Sequence, residues 1–226
     1  VNLTSGSNNK LTMSGGIVKS ISGSYALYMS SSTRAVITSG NIQADSGSGI
    51  YVENSTNNQL TLGTNDNTIS QLPKVTGSKY GVYSSGTNSV FNFYDGIITG
   101  SNLGAIQGVN VDSKPSGYEV IYSKNNTIAS LDASYNVVAT NTTLNKNYGD
   151  IQVAIDSASS GNIIQLKKSF TYSTQISIPS GKTINLNSNG YTITSNSTSS
   201  YVISNAGTLT ISGTGKIVST GYSVVN

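Results

Sequence analysis

The sequence predicts an all-β fold, a parallel β-solenoid with coils of about 25 residues and one short α-helix. Three observations carry this expectation. Short alternating runs rich in Ile, Val, Thr and Tyr recur throughout the 226 residues. One strand-turn pattern returns at nearly constant intervals. Only one stretch places its apolar residues at helical spacing.

The repeating pattern is a short apolar-polar-apolar strand, a small or turn-forming stretch, and a closing Ile. It appears as LTMSGGI (11–17), VITSGNI (36–42), LTLGTNDNTI (60–69), FNFYDGI (91–97), INLNSNGYTI (184–193) and LTISGTGKI (209–217). Ile17, Ile42, Ile69 and Ile97 follow one another at intervals of 25, 27 and 28, and Ile193 and Ile217 at 24. A second strand falls between: ISGSYALYM (21–29), DSGSGIYVEN (45–54), VTGSKYGVYSS (75–85), ITGSNLGAIQG (98–108) and IVSTGYSVVN (217–226). Inward Ile, Leu, Val and Tyr are expected to stack on their counterparts one coil away, at a strand separation of about 4.8 Å. Ser, Thr and Asn then point outward, and Gly and Asn supply positive φ at corners. Asn189-Gly190 is expected to turn the chain toward the next strand and not to close a hairpin.

After about residue 108 the pattern weakens. Lys114-Pro115-Ser116-Gly117 reads as a turn, YEVIYS and the Asn-rich stretch to Tyr148 as exit strands and connector. The helix follows at about 150–159. Ile151, Ala154, Ile155 and Ala158 fall at i, i+3, i+4 and i+7, with Asp150 placed as N-cap and Gly161 as C-terminal stop. Such a helix can lie across the first coil and cover its open edge.

The run AIDSASSG, IIQLKK, IPSGKTINLNSNG and YTI resembles the opening of right-handed parallel β-helix domains of the pectate-lyase-like type, found in large bacterial surface proteins and adhesins. It spans about 45 residues; the remaining coils match in style. Asn185 and Asn187 stand where that family often has Asp. The resemblance implies a right-handed β-helix and an extracellular, cell-surface location.

Three segments are expected: residues 1–115 as the final coils of one β-helix, 116–147 as exit strands and connector, and 148–226 as a capping helix with the first coils of the next. Joining residue 226 to residue 1 spaces Ile217 and Ile17 by 26 residues, within the observed range. The chain therefore reads as one period of a tandem array or polymer of identical copies, with export signals and anchors outside this segment.

Composition bounds the chemistry. Ser, Thr, Asn and Gly make up about half of the chain, charged residues are 9%, and His, Cys and Trp are absent. Ser-His-Asp and Cys-His catalysis, zinc ligation of the usual kind and haem or iron-sulfur ligation are thereby excluded. The β-branched and aromatic content argues against disorder. A net charge of +3, with basic residues scattered, gives no nucleic-acid footprint. No apolar run approaches the roughly 20 residues of a membrane span.

The nine acids show no DxD-type spacing. Arg34 and Glu53 fall on nearby coils and read as a surface ion pair, while Asp45 and Asp95 read as loop acids at equivalent corners about 10 Å apart, a separation that also suits inverting glycoside hydrolysis. The acidic clusters of polysaccharide lyases and hydrolases are not found, so no enzyme, metal or cofactor is expected. Asn-X-Ser/Thr triplets at Asn2, Asn54, Asn125, Asn141 and Asn196 follow from composition. Tyr25, Tyr28, Tyr51, Tyr80, Tyr83, Tyr94, Tyr201 and Tyr222 recur in the coils. An exposed row of them could stack glycan rings, with Tyr25, Tyr51, Tyr83 and Tyr94 as the contact residues; the same rings could instead pack inside the solenoid or cover a corner. The function expected is a structural unit of an extracellular bacterial surface fibre, adhesin stalk or filament, with a glycan-binding module as the alternative.

Overall fold

The computed structural model describes residues 1–4, 9–55, 57–197, 201–219 and 221. The chain is an all-β solenoid of about nine turns, each of about 24 residues, with a single short α-helix. It divides into two compact units, Val1–Val120 with Asn126–Ala133, and Ile121–Asn125 with Ser134–Asn226.

The first unit contains β1 (Asn2–Leu3), β2 (Lys10–Ser20), β3 (Tyr25–Met29), β4 (Arg34–Ala44), β5 (Ser48–Val52), β6 (Gln59–Leu62), β7 (Lys74–Gly77), β8 (Tyr80–Ser84), β9 (Val90–Phe93), β10 (Ile97–Gly100) and β11 (Gly104–Gln107). After the boundary strand β12 (Tyr118–Ser123) comes β13 (Ile128–Ala133). Three parallel ladders build the coils. The N-terminal halves of β2 and β4 continue through β6 and β9. The C-terminal halves of the same two strands continue through β7 and β10. The third ladder runs β1-β3-β5-β8-β11. A bend at Gly40, whose φ is +93°, lets β4 serve two faces.

Alternation drives the packing. Met13, Ile37, Leu62 and Phe93 hold one register position on successive coils, as do Leu11, Ala35, Leu60 and Phe91. Nearly all of these side chains are buried. Each fully buried large apolar side chain contributes roughly 1.5–3 kcal/mol.

The closing isoleucines Ile17, Ile42, Ile69 and Ile97 do not form the single inward column that their spacing predicts. Ile42 lies inward, but its partners are Val18, Val75 and, one coil on, Ile98. Ile17 pairs with Asn41 and is 68% exposed, and Ile69 lies in the long β6–β7 connection. A shift of one residue exchanges the two faces of a strand.

The second unit opens with an antiparallel pair, β14 (Ala139–Asn141) and β15 (Lys146–Tyr148). Then come α1 (Ile151–Ser157), β16 (Ile163–Leu166), β17 (Phe170–Tyr172), β18 (Ile176–Ile178), β19 (Thr183–Asn187), β20 (Thr192–Ser195), β21 (Ile203–Asn205), β22 (Thr208–Ser212) and β23 (Lys216–Ser219). Three parallel ladders form again: β16-β19-β22, β17-β20-β23 and β18-β21. Ile193 and Ile217 pair as the spacing predicts, and both continue the column of Phe170. Asn189 and Gly190 have φ of +49° and +81°, and β19 and β20 belong to different ladders, so this turn is a corner.

Helix α1 buries Ile151, Ala154 and Ile155 against β14, β15 and β18. The Asp150 carboxylate accepts hydrogen bonds from the Gln152 and Val153 amides at 2.7 and 3.1 Å, as an N-cap does. The C-terminal stop differs from expectation. Ala158 is already extended, and Gly161, with φ of +86°, lies in the turn beyond it. What satisfies the last carbonyls is Lys182, which donates to Ile155 O at 3.0 Å and Asp156 O at 2.9 Å. Among the described residues no helix is long and apolar enough to cross a membrane. Residues 222–226, through which the chain was expected to continue into a next copy, lie outside the described residues.

A tyrosine face and the disposition of the acids

The third ladder of the first unit repeats a four-residue unit: Tyr25-Ala26-Leu27-Tyr28, Ser48-Gly49-Ile50-Tyr51, Tyr80-Gly81-Val82-Tyr83 and Gly104-Ala105-Ile106-Gln107. In each, the two central residues are buried. The first of them is always Ala or Gly, because the chain passes close to its neighbours there. A Cβ at Gly49 would lie 2.8 Å from the Gly81 carbonyl oxygen and from a Val75 methyl. Two consecutive buried positions leave the flanking tyrosines on the outer side, whereas Ser48 and Gly104, at the first flanking position of the other two repeats, are buried. Strict alternation would have placed Tyr25 with Leu27.

Five tyrosines thereby meet on one outward face: Tyr25, Tyr28, Tyr51, Tyr80 and Tyr83, each half-buried. Tyr28, Tyr51 and Tyr83 are register partners on three successive coils. The column ends on Asn2 at one side and Gln107 at the other. Ring centroids are 4.5 Å apart for Tyr25–Tyr51, 5.3 Å for Tyr28–Tyr51, 5.1 Å for Tyr80–Tyr83 and 5.5 Å for Tyr51–Tyr83. The first three pairs are tilted by only 16–22°, so the rings lie over one another like a stack of coins. Burial raises the phenol pKa of Tyr25, helped by Tyr51 and Tyr83. Burial likewise raises that of Tyr28, beside the Glu53 carboxylate. Both phenols are neutral at ordinary pH.

Of the residues expected to contact a glycan, Tyr25, Tyr51 and Tyr83 are brought together. Tyr94 is not: it lies at the corner after β9, and no ring pair includes it among the described residues. Tyr28 and Tyr80 complete the cluster, and aligning the four-residue unit is the sequence signal that finds them. Mutual stacking covers the ring faces within the row and leaves ring edges and hydroxyls outward. Beside Tyr25 and Tyr28 an open recess of about 430 Å³ is lined also by Val1, Asn2 and Ser24. Tyr201 lies in the second unit, and Tyr222 outside the described residues.

Most of the acids are engaged in holding the chain. Asp95, 4% exposed, accepts hydrogen bonds from Ser70 N and Oγ, Gln71 N and its neighbour Gly96 N, at 2.6–2.9 Å. It thus fastens the long β6–β7 connection to the next coil. Asp45 follows the second half of β4, a different corner, and pairs with Lys19 at 3.0 Å. Hydrogen bonds from Lys19 and then Gln43 hold its carboxyl below the usual range. The Asp45–Asp95 correspondence expected from sequence is therefore corrected. Asp112 accepts from Phe91 N at 2.7 Å and covers the outer edge of β9. Among the described residues the ion pairs are Lys19–Asp45 and Lys114–Glu119, and Arg34 and Glu53 do not form one. Asn187 accepts from the Asn189 amide, and Asn185 donates to the Gly161 carbonyl, so both are occupied in turns.

In each unit one end of the coil stack is covered. In the first, β13 pairs antiparallel to β10, Asp112 covers β9, and Asn126 O accepts from Ala105 N on β11. In the second, the Gln152 side chain covers β18, its oxygen accepting from Ser177 N at 2.7 Å and its nitrogen donating to Ser177 O at 3.0 Å. At the other ends, among the described residues, β2 has only β4 beside it, and β22 and β23 have only β19 and β20. Ile17 and Ile21 are exposed there in the first unit, Ile211 and Val218 in the second. No protein family, curated protein or solved structure matches the chain.

Proposed function

We propose that this chain is a structural repeat unit of an extracellular fibre, adhesin stalk or filament of a bacterial cell surface, stacking end to end with identical copies and performing no catalysis. The observation that carries the reading is the asymmetry of each unit. One end is closed by hydrogen-bonded side chains and strands, while at the other, among the described residues, β2 and β22 each have a neighbouring strand on one side alone, beside exposed Ile and Val. A groove of about 510 Å³ follows the open edge of β2 from Leu11 to Val18. Such an edge is completed by another coil in parallel register, and solenoids gain length by this nearest-neighbour stacking. The engagement of Asp45, Asp95, Asp112 and Asp150 in structural bonds supports a non-catalytic role. Native mass measurement tests the proposal. A ladder of multiples of 23.4 kDa, or one very large chain, is expected. A single species of 23.4 kDa at every concentration overturns it.

The outward tyrosine face favours a second reading, a glycan-binding module with Tyr25 and Tyr28, which line the open recess, as the platform. Titration with neutral oligosaccharides distinguishes the two: saturable binding lost in Tyr28→Ala supports the second reading, and no binding removes it.

A further inference from the structure

The tyrosine face suggests a covalent chemistry that requires neither a ligand site nor end-to-end assembly. The chain contains no Cys, Trp or His, and two Met. Met13 and Met29 are both buried, at 7% and 0% exposure. A one-electron oxidant reaching this surface therefore meets phenol as the most easily oxidised accessible side chain. The five clustered phenols are half-buried, so their edges and hydroxyls are reachable. Their ring separations are also short enough for a radical formed on any one to pass along the row.

We propose that Tyr25 and Tyr51 form a site of oxidative cross-linking, joined as dityrosine by a haem peroxidase acting with hydrogen peroxide. Each phenol loses one electron and one proton to the oxidised enzyme. The two phenoxyl radicals couple through their ortho carbons, and the new carbon–carbon bond rearomatises by moving the two ortho hydrogens to the phenol oxygens. The balance is two tyrosines and one hydrogen peroxide giving one dityrosine and two waters.

Tyr25–Tyr51 is the closest ring pair of the row, with centroids 4.5 Å apart. Directly bonded aryl rings have a comparable centroid separation. Coupling thus needs the rings to turn from face-to-face toward edge-to-edge, with little translation of either. The two residues belong to β3 and β5, which are adjacent parallel strands of successive coils. The bond would therefore fasten one coil to the next from outside, without disturbing the buried columns. Tyr80–Tyr83, at 5.1 Å, lies within one strand and would fasten nothing across coils.

The test treats the folded chain at low concentration with a peroxidase and limiting hydrogen peroxide. Dityrosine emission, intact mass and peptide mapping of the monomeric fraction are then read. Expected are dityrosine emission, a mass loss of two hydrogens in the monomer, and a cross-linked peptide pair containing Tyr25 and Tyr51. Tyr51→Phe should lose that product, whereas Tyr135→Phe should keep it, Tyr135 being 76% exposed and outside the row. Cross-links that are solely between molecules, that map chiefly to Tyr94 or Tyr135, or that persist unchanged in Tyr51→Phe overturn the proposal. Peptide mapping of the unsubstituted chain decides the matter even if the variant folds poorly.

Discussion

The side chain of Gln152 pairs with the backbone of Ser177 as a neighbouring strand would, accepting from its N–H at 2.7 Å and donating to its carbonyl at 3.0 Å. A helical residue thereby closes the edge of β18, and the same amide also donates to Asp156 at 2.9 Å, which fixes its orientation. Replacing it with Ala removes both edge bonds. Gln152→Ala is expected to lower the stability of the second unit by about 1–2 kcal/mol, read as a lower urea midpoint. Unchanged stability would show that water satisfies this edge equally well.

Asp95 is the buried fastening of the β6–β7 connection. Asp95→Ala leaves the amides of Ser70 and Gln71 without their partner and is expected to cost about 3 kcal/mol, because bonds to a buried carboxylate are among the stronger ones. Limited proteolysis should then cut first within residues 63–73. Cleavage elsewhere before that segment would contradict the role assigned to Asp95.

Two glycines make a controlled comparison. A Cβ at Gly77 would run into the Tyr80 carbonyl oxygen and lie 2.6 Å from Gly49 N, whereas one at Gly15 meets nothing within 4 Å. Gly77→Ala is expected to destabilise by about 1–3 kcal/mol through overpacking. Gly15→Ala, at a negative φ, should be neutral or gain about 0.4–1 kcal/mol from the unfolded chain. Thermal melts of the two variants check the contrast.

Alkaline pH should loosen the fold. Burial raises the phenol pKa values of Tyr25, Tyr28, Tyr122 and Tyr172 above the free value of 10.0. A raised folded-state pKa means that the unfolded chain releases its proton first. The associated stability is complete below pH 10.0 and is lost as pH rises through the folded-state values. Spectrophotometric titration should show part of the phenolate signal delayed beyond that of free tyrosine, and melting temperature should fall over the same range. Coincidence with the free-tyrosine curve would contradict this.

Much of the architecture is legible in the sequence for physical reasons. The coil period is visible because every turn needs a short alternating strand and a corner of Gly or Asn. The helix is visible because Asp150 and the spacing of Ile151, Ala154, Ile155 and Ala158 agree. The inward column departs from expectation by one residue wherever two apolar side chains are adjacent, as in Ile17-Val18 and Ile97-Ile98, since pattern alone cannot say which faces the core. The tyrosine cluster is half legible. Tyr25, Tyr51 and Tyr83 stand out as contact residues, but Tyr28 and Tyr80 join them because two consecutive small-plus-aliphatic residues turn inward together, which a period of two does not anticipate. The bonds of Asp95 are not legible, because Ser70 and Gln71 lie about 25 residues away in sequence and reach it through the coil repeat.

The bend of β4 at Gly40 has a mechanical meaning. One uninterrupted strand holds two ladders, through Arg34–Ile37 on one side of the bend and Asn41–Ala44 on the other. Force that peels this strand from its neighbours must strip both ladders together, since no loose connection between them can absorb slack. By contrast, the corresponding strands of the next coil, β6 and β7, are joined by the 63–73 segment and can be drawn apart one after the other. Under tension the first unit should therefore yield in unequal steps, with the tightly bent coil resisting as a single tooth and the looser one paying out length.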